Sequence, residues 1–339
     1  MKAVVLTQHG PGEKAFSIQE VKDVFPQTGE IKIKVKAFGL NFADVMARNG
    51  LYRAAPPLPS ILGYEVAGEI VEIGDQVVGF KVGDLVIANT RFGGYAEYAV
   101  ANQYTAVKVQ TLDHVGKLLA LPTQYTTALM CVEEAIKVRK GETVLIHSAA
   151  GGVGGAMVDL LKDKGVTIIG TAGSHEKLDF IKTKGVDIAV SYQNEKFWDE
   201  IKKVHSKGID VIFDAVGGKV YKEGFKQLNV GGRIVVYGAA YRTKTKPGKL
   251  AMIKMLLQFG FTHPLFLMMK SKTISGVNML EIGENRTDIL HDLLNRSVQL
   301  YEKGTIDPVV GGIFSVNDIG KIHQNMENRK YMGKVSIEW

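Results

Sequence analysis

The chain has 339 residues, of which 45% are apolar and 23% charged, with a formal net charge of +7 and one cysteine. Two packed domains are expected at this length, and the composition is that of a soluble globular enzyme. The lone Cys131 excludes an intramolecular disulfide and a multi-thiolate zinc site, and points to a reducing, cytoplasmic setting.

In chain order, MKAVVLTQHG enters a strand-like run at once, without the apolar stretch of a signal peptide. Much of the positive charge is lysine alternating with apolar residues, as in Ile31 to Lys36, which predicts a half-buried strand with a solvated lysine face. No nucleic-acid module is visible. Short strands follow at Val66–Val71, Leu85–Ala88 and Tyr95–Val100, with turns at Gly74-Asp75, Gly83-Asp84 and Gly93-Gly94. This predicts a β-rich, barrel-like domain over residues 1–121.

Beyond Pro122 the rhythm changes. A helical stretch (Tyr125–Val138) precedes strand Thr143–His147, a glycine-rich turn, helix Ala156–Lys164 and strand Val166–Thr171. Helices near 176–184, 196–205 and 220–228 alternate with strands Ile188–Ser191, Asp210–Asp214 and Arg233–Tyr237, and the last strand is Thr273–Val277. Such alternation builds a doubly wound parallel sheet, so the fold class is α/β, with the second domain at 122–278. The tail, 279–339, carries helices near 286–303 and 316–328 and a strand at 334–337, and is expected to return to the first domain. The cleft between the domains is the expected active site.

Strand Thr143–His147 runs into Ser148-Ala149-Ala150-Gly151-Gly152-Val153-Gly154-Gly155. A tight turn and close approach to a pyrophosphate require small residues here, and the following helix would aim its first amides at the phosphates. An NAD site would place Asp or Glu about 20 residues on. This chain has Gly170-Thr171-Ala172-Gly173-Ser174 with Lys177 just beyond, which favours NADP. In the plainer alternative Ser174 caps a helix and Lys177 is a solvated charge.

Gly63-Tyr64-Glu65-Val66-Ala67-Gly68, Val82-Gly83-Asp84 and Gly93-Gly94-Tyr95-Ala96-Glu97-Tyr98 resemble the medium-chain dehydrogenase/reductase superfamily. With Asn41-Phe42-Ala43-Asp44, Thr126-Thr127-Ala128, Ala149 to Gly154 and Asp214-Ala215-Val216-Gly217-Gly218, the resemblance narrows to the quinone oxidoreductase (zeta-crystallin-like) branch. From Gly208 to Gly333-Lys334 the chain looks most like the vesicle amine transport protein subgroup. The resemblance implies a GroES-like catalytic domain, a Rossmann domain and a homodimer joined through the Rossmann sheets. It implies cofactor roles for Asn41, Thr127, Ala149, Ala150, Gly151, Gly152, Val153, Gly154, Ser174, Lys177 and Tyr192. Asn41, Tyr52 and Thr127 would lie near the nicotinamide. Tyr192 would sit by the adenosine phosphate, or else close a strand as a surface aromatic. Gly217, Gly238 and Asn278 follow Rossmann strands, where backbone approaches the cofactor, or are plain turn residues.

Zinc-dependent relatives carry Cys where this chain has Asn41 and His where it has Tyr64, and their Cys-rich lobe is missing, so no metal site is expected. Alcohol oxidation needs a Lewis acid to hold an alkoxide, whereas a quinone or enone accepts hydride into a delocalised anion. The Asn41 amide and the Tyr52 or Tyr64 hydroxyl could assist that oxyanion; Tyr64 could equally be a core tyrosine. No protein general acid is evident, and solvent can complete protonation. The hydride would come from NADPH.

Leu250 to Met269 is apolar and Met-rich, and follows the basic run Arg242 to Lys249. It reads as a helix and lid over the substrate cleft or a dimer interface, or as a weak peripheral contact with an anionic membrane. Two functions follow: an NADPH:quinone or enone reductase, or an NADPH-binding protein acting at a membrane or on partners with little turnover.

Overall fold

The structure, a computed structural model, describes residues 1–194, 196–240 and 257–339. It divides into two compact units, Met1–Thr126 with Met279–Trp339, and Thr127–Asn278. The strands of the first unit are β1 (Lys2–Leu6), β2 (Phe16–Glu20), β3 (Glu30–Leu40), β4 (Ser60–Ile61), β5 (Glu65–Ile73), β6 (Leu85–Asn89), β7 (Tyr98–Asn102) and β8 (Ala106–Lys108). The second unit holds β9 (Thr143–Ile146), β10 (Thr167–Ala172), β11 (Ile188–Ser191), β12 (Ile209–Asp214), β13 (Leu228–Val236) and β14 (Thr273–Gly276). The chain then adds β15 (Val310–Ser315) and β16 (Lys334–Glu338) to the first.

In the first unit β3 is the axle. It pairs antiparallel with β5, β7 and β16, within a seven-stranded sheet that runs β15-β16-β3-β5-β6-β8. Its apolar side chains Ile31, Ile33, Val35, Phe38 and Leu40 join Val66, Ile70, Val86, Tyr95 and Val335 in one core. The expected solvated lysine face holds for Lys34 and Lys36 but not for Lys32, which is buried. The strand's two-residue period is kept, with Ile31, Ile33 and Val35 buried, and Lys32 is covered on the lysine face by its neighbours. The Lys32 ammonium lies 2.9 Å from the Asp23 carboxylate and over the rings of Phe25 and Tyr98. The strand expected from Tyr95 begins instead at Tyr98, because the Tyr95 N–H donates to the Leu62 carbonyl (3.0 Å) and its ring is fully buried.

The second unit is a six-stranded, all-parallel sheet in the order β11-β10-β9-β12-β13-β14. The chain winds outward from β9 through β10 to β11, then returns to the other side of β9 at β12. That reversal places the crevice typical of Rossmann folds at the carboxyl ends of β9 and β12. Leu145, Ile169, Ile212 and Ile234 on successive strands pack with Phe197, Ile201 and Tyr221 from the covering helices. The helix after β9 spans Gly152–Leu161 and so starts four residues earlier than expected, with Gly151 as its N-cap. The helical stretch near Pro122 spans Leu121–Glu134, with wide five-residue turns flanking a short α-helix at Thr126–Leu129.

Candidate active site

The turn leaving β9 is held by main-chain bonds from Gly151 N–H to the Ser148 carbonyl (2.8 Å) and from Ala149 N–H to the Thr171 carbonyl (3.0 Å). Ala149 and Ala150 are buried. Gly152, Val153 and Gly154 form the first helical turn, where no side chain caps the leading N–H groups. A Cβ at Gly154 would fall on the Ser148 carbonyl and 3.0 Å from the Ala149 Cα, so the close helix–turn packing requires glycine there.

At the tip of β10 the chain runs through Gly173 into helix His175–Thr183, and no carboxylate stands at the strand's end. The Ser174 hydroxyl caps that helix by accepting the Lys177 N–H (3.3 Å), which fixes both residues in one turn. Capping uses an acceptor of the hydroxyl and leaves it able to donate. The Tyr192 ring lies over Gly173, its Cζ 2.7 Å from where a Cβ would stand. Ser174 and Tyr192 thus gather around Gly173, with Lys177 on the adjoining turn.

Gly217 follows β12 with φ +78° and lies beneath the Phe259 ring; Gly238 packs on the Ala215 backbone after β13, and Asn278 follows β14. Two buried residues at the strand ends had no assigned role in the sequence. The Asp214 carboxylate accepts the N–H groups of Val216 (2.7 Å) and Gly217 (3.0 Å) and so shapes the turn after β12. His147 meets the Thr171 hydroxyl at 3.2 Å through Nδ1, and burial holds it below the usual histidine range, hence neutral. Thr127 is buried in the short helix of this same unit.

In the first unit, Asn41 follows β3 and is the N-cap of helix Phe42–Arg48. Its backbone N–H donates to Asp44 Oδ2 (2.8 Å). The Asn41 amide, expected to assist a substrate oxyanion, is also held within the protein at its oxygen and by one of its N–H groups. Nδ2 donates to Glu65 Oε1 (2.8 Å) and Oδ1 accepts from Lys334 Nζ (3.3 Å). The reason is tertiary: β5 and β16 flank β3, so Glu65 and Lys334 converge at its end and form a buried ion pair. Tyr64 is buried with its ring edge-on to Tyr52 (6.3 Å between centroids) and tilted on Phe92. Burial pushes both phenols above their ordinary range, so each stays protonated. Asp44 is fully buried, and desolvation, with Glu65 nearby, pushes its carboxyl up to about 7. The Tyr95 hydroxyl meets His323 Nε2 at 3.2 Å. Of these residues Glu65 stood inside a quoted motif without a role of its own, whereas a lone Lys334 carried no signal.

Residues 27–111 match the family described as alcohol dehydrogenase GroES-like domain, and residues 152–296 match that described as zinc-binding dehydrogenase. Rat quinone oxidoreductase is 30% identical over 99% of this chain and 97% of its own length. The chain belongs to the quinone oxidoreductase branch of the medium-chain dehydrogenase/reductase superfamily. It stands near the VAT-1 homologues: the mouse synaptic vesicle membrane protein VAT-1 homolog is 32% identical, covering 99% of this chain and 83% of that one. A mycobacterial protein solved in complex with NADPH matches all of both chains with a TM-score of 0.85 and 25% identity.

Proposed function

We propose that this protein, an oxidoreductase by family, is an NADPH-dependent, zinc-independent reductase of quinones or conjugated enones and alkenals. The observation that carries the reading is the tip of β10, where Ser174 and Tyr192 surround Gly173, Lys177 follows and no acid stands to bind a free ribose hydroxyl. Such a set suits an adenosine 2′-phosphate. Ala149 to Gly154 suit the pyrophosphate, because glycine keeps the turn narrow and the uncapped helix offers its N–H groups. Gly217, Gly238 and Asn278 complete the cofactor set, and Thr127 and Asn41 serve its nicotinamide end. The NADPH of the mycobacterial relative agrees with this assignment.

When bound, NADPH supplies the hydride. The chain's own residues hold the acceptor and receive its developing negative charge, for which the protonated phenols of Tyr52 and Tyr64 are suitable donors. Zinc does not fit this place. An amide and a phenol stand at Asn41 and Tyr64, Glu65 is committed to Lys334, and Cys131 is a buried thiol of the other unit, pushed up by desolvation. The working form is proposed as a cytoplasmic homodimer.

NADPH consumption with 1,4-naphthoquinone, phenanthrenequinone and simple enones tests the reading. Lys177→Ala should weaken NADPH about tenfold or more while leaving NADH nearly unchanged, since one charge-assisted bond to phosphate is lost. Equal loss for both nucleotides rejects the Lys177 role, and no calorimetric affinity for either nucleotide ends the enzymatic reading. A second reading, membrane or partner contact with little turnover, draws on the exposed side chains of Phe261, Leu265, Phe266, Met268 and Met269. The vesicle-membrane name of the VAT-1 relatives agrees with it. The basic run 242–249 and the start of the Met-rich segment lie outside the described residues. Among those described, no helix is long and apolar enough to cross a membrane. Co-sedimentation with liposomes, together with tight NADPH binding and no turnover, would favour this second reading.

A further inference from the structure

The Lys334–Glu65 ion pair has both side chains fully buried. Such pairs are weak stabilisers, because desolvating two charges offsets most of their attraction and an apolar pair of similar volume often does as well. The surroundings point to a different role. Lys334 Nζ donates to the Leu40 carbonyl and to Asn41 Oδ1, each at 3.3 Å, while Glu65 Oε1 accepts from Asn41 Nδ2 at 2.8 Å. An ammonium can only donate and a carboxylate can only accept. The Asn41 amide therefore has one orientation, since a flip would set its NH2 against the ammonium and its carbonyl against the carboxylate. The backbone is tied as well, through Asn41 N–H to Asp44 Oδ2. After these bonds one Nδ2 hydrogen is left uncommitted. Gly39 fits the same plan: a Cβ there would fall on the Glu65 carboxylate and 2.6 Å from Lys334 Nζ, so β3 keeps a glycine where the pair must lie against it.

We infer that Lys334 and Glu65 are positioning residues that lock the Asn41 amide, so that its one remaining N–H is held ready for the carbonyl oxygen of the acceptor. The inference rests on the proposed reading in placing the acceptor beside Asn41; the locking itself does not. An N–H already aimed loses no free energy to reorientation when negative charge develops, which is how a preorganised donor lowers a barrier. Removing one should then act on turnover more than on cofactor binding.

The test uses the full-length protein and the double variant Glu65→Gln/Lys334→Met, which removes both charges and leaves no lone buried ion. Asn-selective 15N labelling, with Asn41→Ala to assign the signal, reads the amide directly. The wild type should give an Asn41 Nδ2 group of high order parameter with shifts displaced from those of a solvated asparagine, and in the double variant the order should fall and the shifts should move toward the solvated values. In turnover, Asn41→Ala should lower kcat about tenfold or more in the wild type and less than about twofold in the double variant. If that double variant does not fold, Glu65→Gln/Lys334→Gln serves, because carboxamides on both sides can face the Asn41 amide either way and should unlock it in the same manner. An amide that stays locked without the pair overturns the proposal, as do additive losses of kcat or an Asn41→Ala variant with wild-type kcat. Should no quinone or enone be reduced, the reductase reading fails; the amide signals then decide the locking, and a loss of order in the variant still supports it.

Discussion

At the scale of single residues, Asp44 carries the sharpest pH signature. Its carboxyl is pushed up to about 7 by burial, whereas in the unfolded chain it should titrate near ~3.9. Between these values the folded protein holds a proton that the unfolded chain has released. Stability therefore falls as pH rises through the window, by at most about 1.4 kcal/mol per pH unit, and the loss is complete above pH ~7. Asp44→Asn keeps an oxygen for the Asn41 N–H and cannot titrate. Denaturant unfolding of both proteins at pH 5 and pH 8 should show the variant gaining about 2–3 kcal/mol on the wild type across that interval. Parallel curves would mean that Asp44 is not a buried, protonatable acid. The sequence quoted Asp44 only as part of a motif. What makes it unusual is its full burial beside Glu65, and that neighbour arrives from a separate element, the start of β5. Lys334 was harder still to read, because a lysine beginning an apolar strand normally reaches solvent.

At the scale of elements, the second unit was legible because apolar strands and amphipathic helices alternate without interruption, so β9 to β14 each left their own signal. The first unit was legible only in part. β4 has two residues, β8 has three, and β15 begins Val-Gly-Gly, all too short or too glycine-rich to show a strand period. The burial of Lys32 was hidden for a related reason, since a two-residue period cannot anticipate that Asp23, Phe25 and Tyr98 gather over one lysine of the face. The glycine turn was recognised, but its helix was set four residues late because glycines 151, 152, 154 and 155 read as loop. That Gly154 is helical and pressed on Ser148 makes it a sharp test of the turn. Gly154→Val should push the helix from β9, cost about 1–3 kcal/mol through overpacking and lower NADPH affinity about tenfold or more. Unchanged affinity in calorimetry would show that the turn does not cradle the pyrophosphate.

At the scale of the whole molecule, one face of the second unit remains to be accounted for. Among the described residues β14 pairs with β13 alone, and helix Pro264–Lys270 beside it in sequence exposes Leu265, Phe266, Met268 and Met269, with Phe261 just before. An open strand edge and several exposed apolar side chains are liabilities that soluble chains generally cover. A second copy would cover them by a two-fold contact, in which the same residues meet their own counterparts. Sedimentation equilibrium at micromolar concentration should accordingly give twice the chain mass. Phe266→Glu/Met269→Glu should give a monomer, because it buries four like charges per dimer at a two-fold contact. A monomeric wild type, or a variant still dimeric, removes this face from the dimer interface. A variant that stays dimeric but no longer sediments with anionic liposomes would instead assign the apolar side chains to a lipid surface. The membrane reading would then account for Phe261 through Met269, leaving the nucleotide site unchanged.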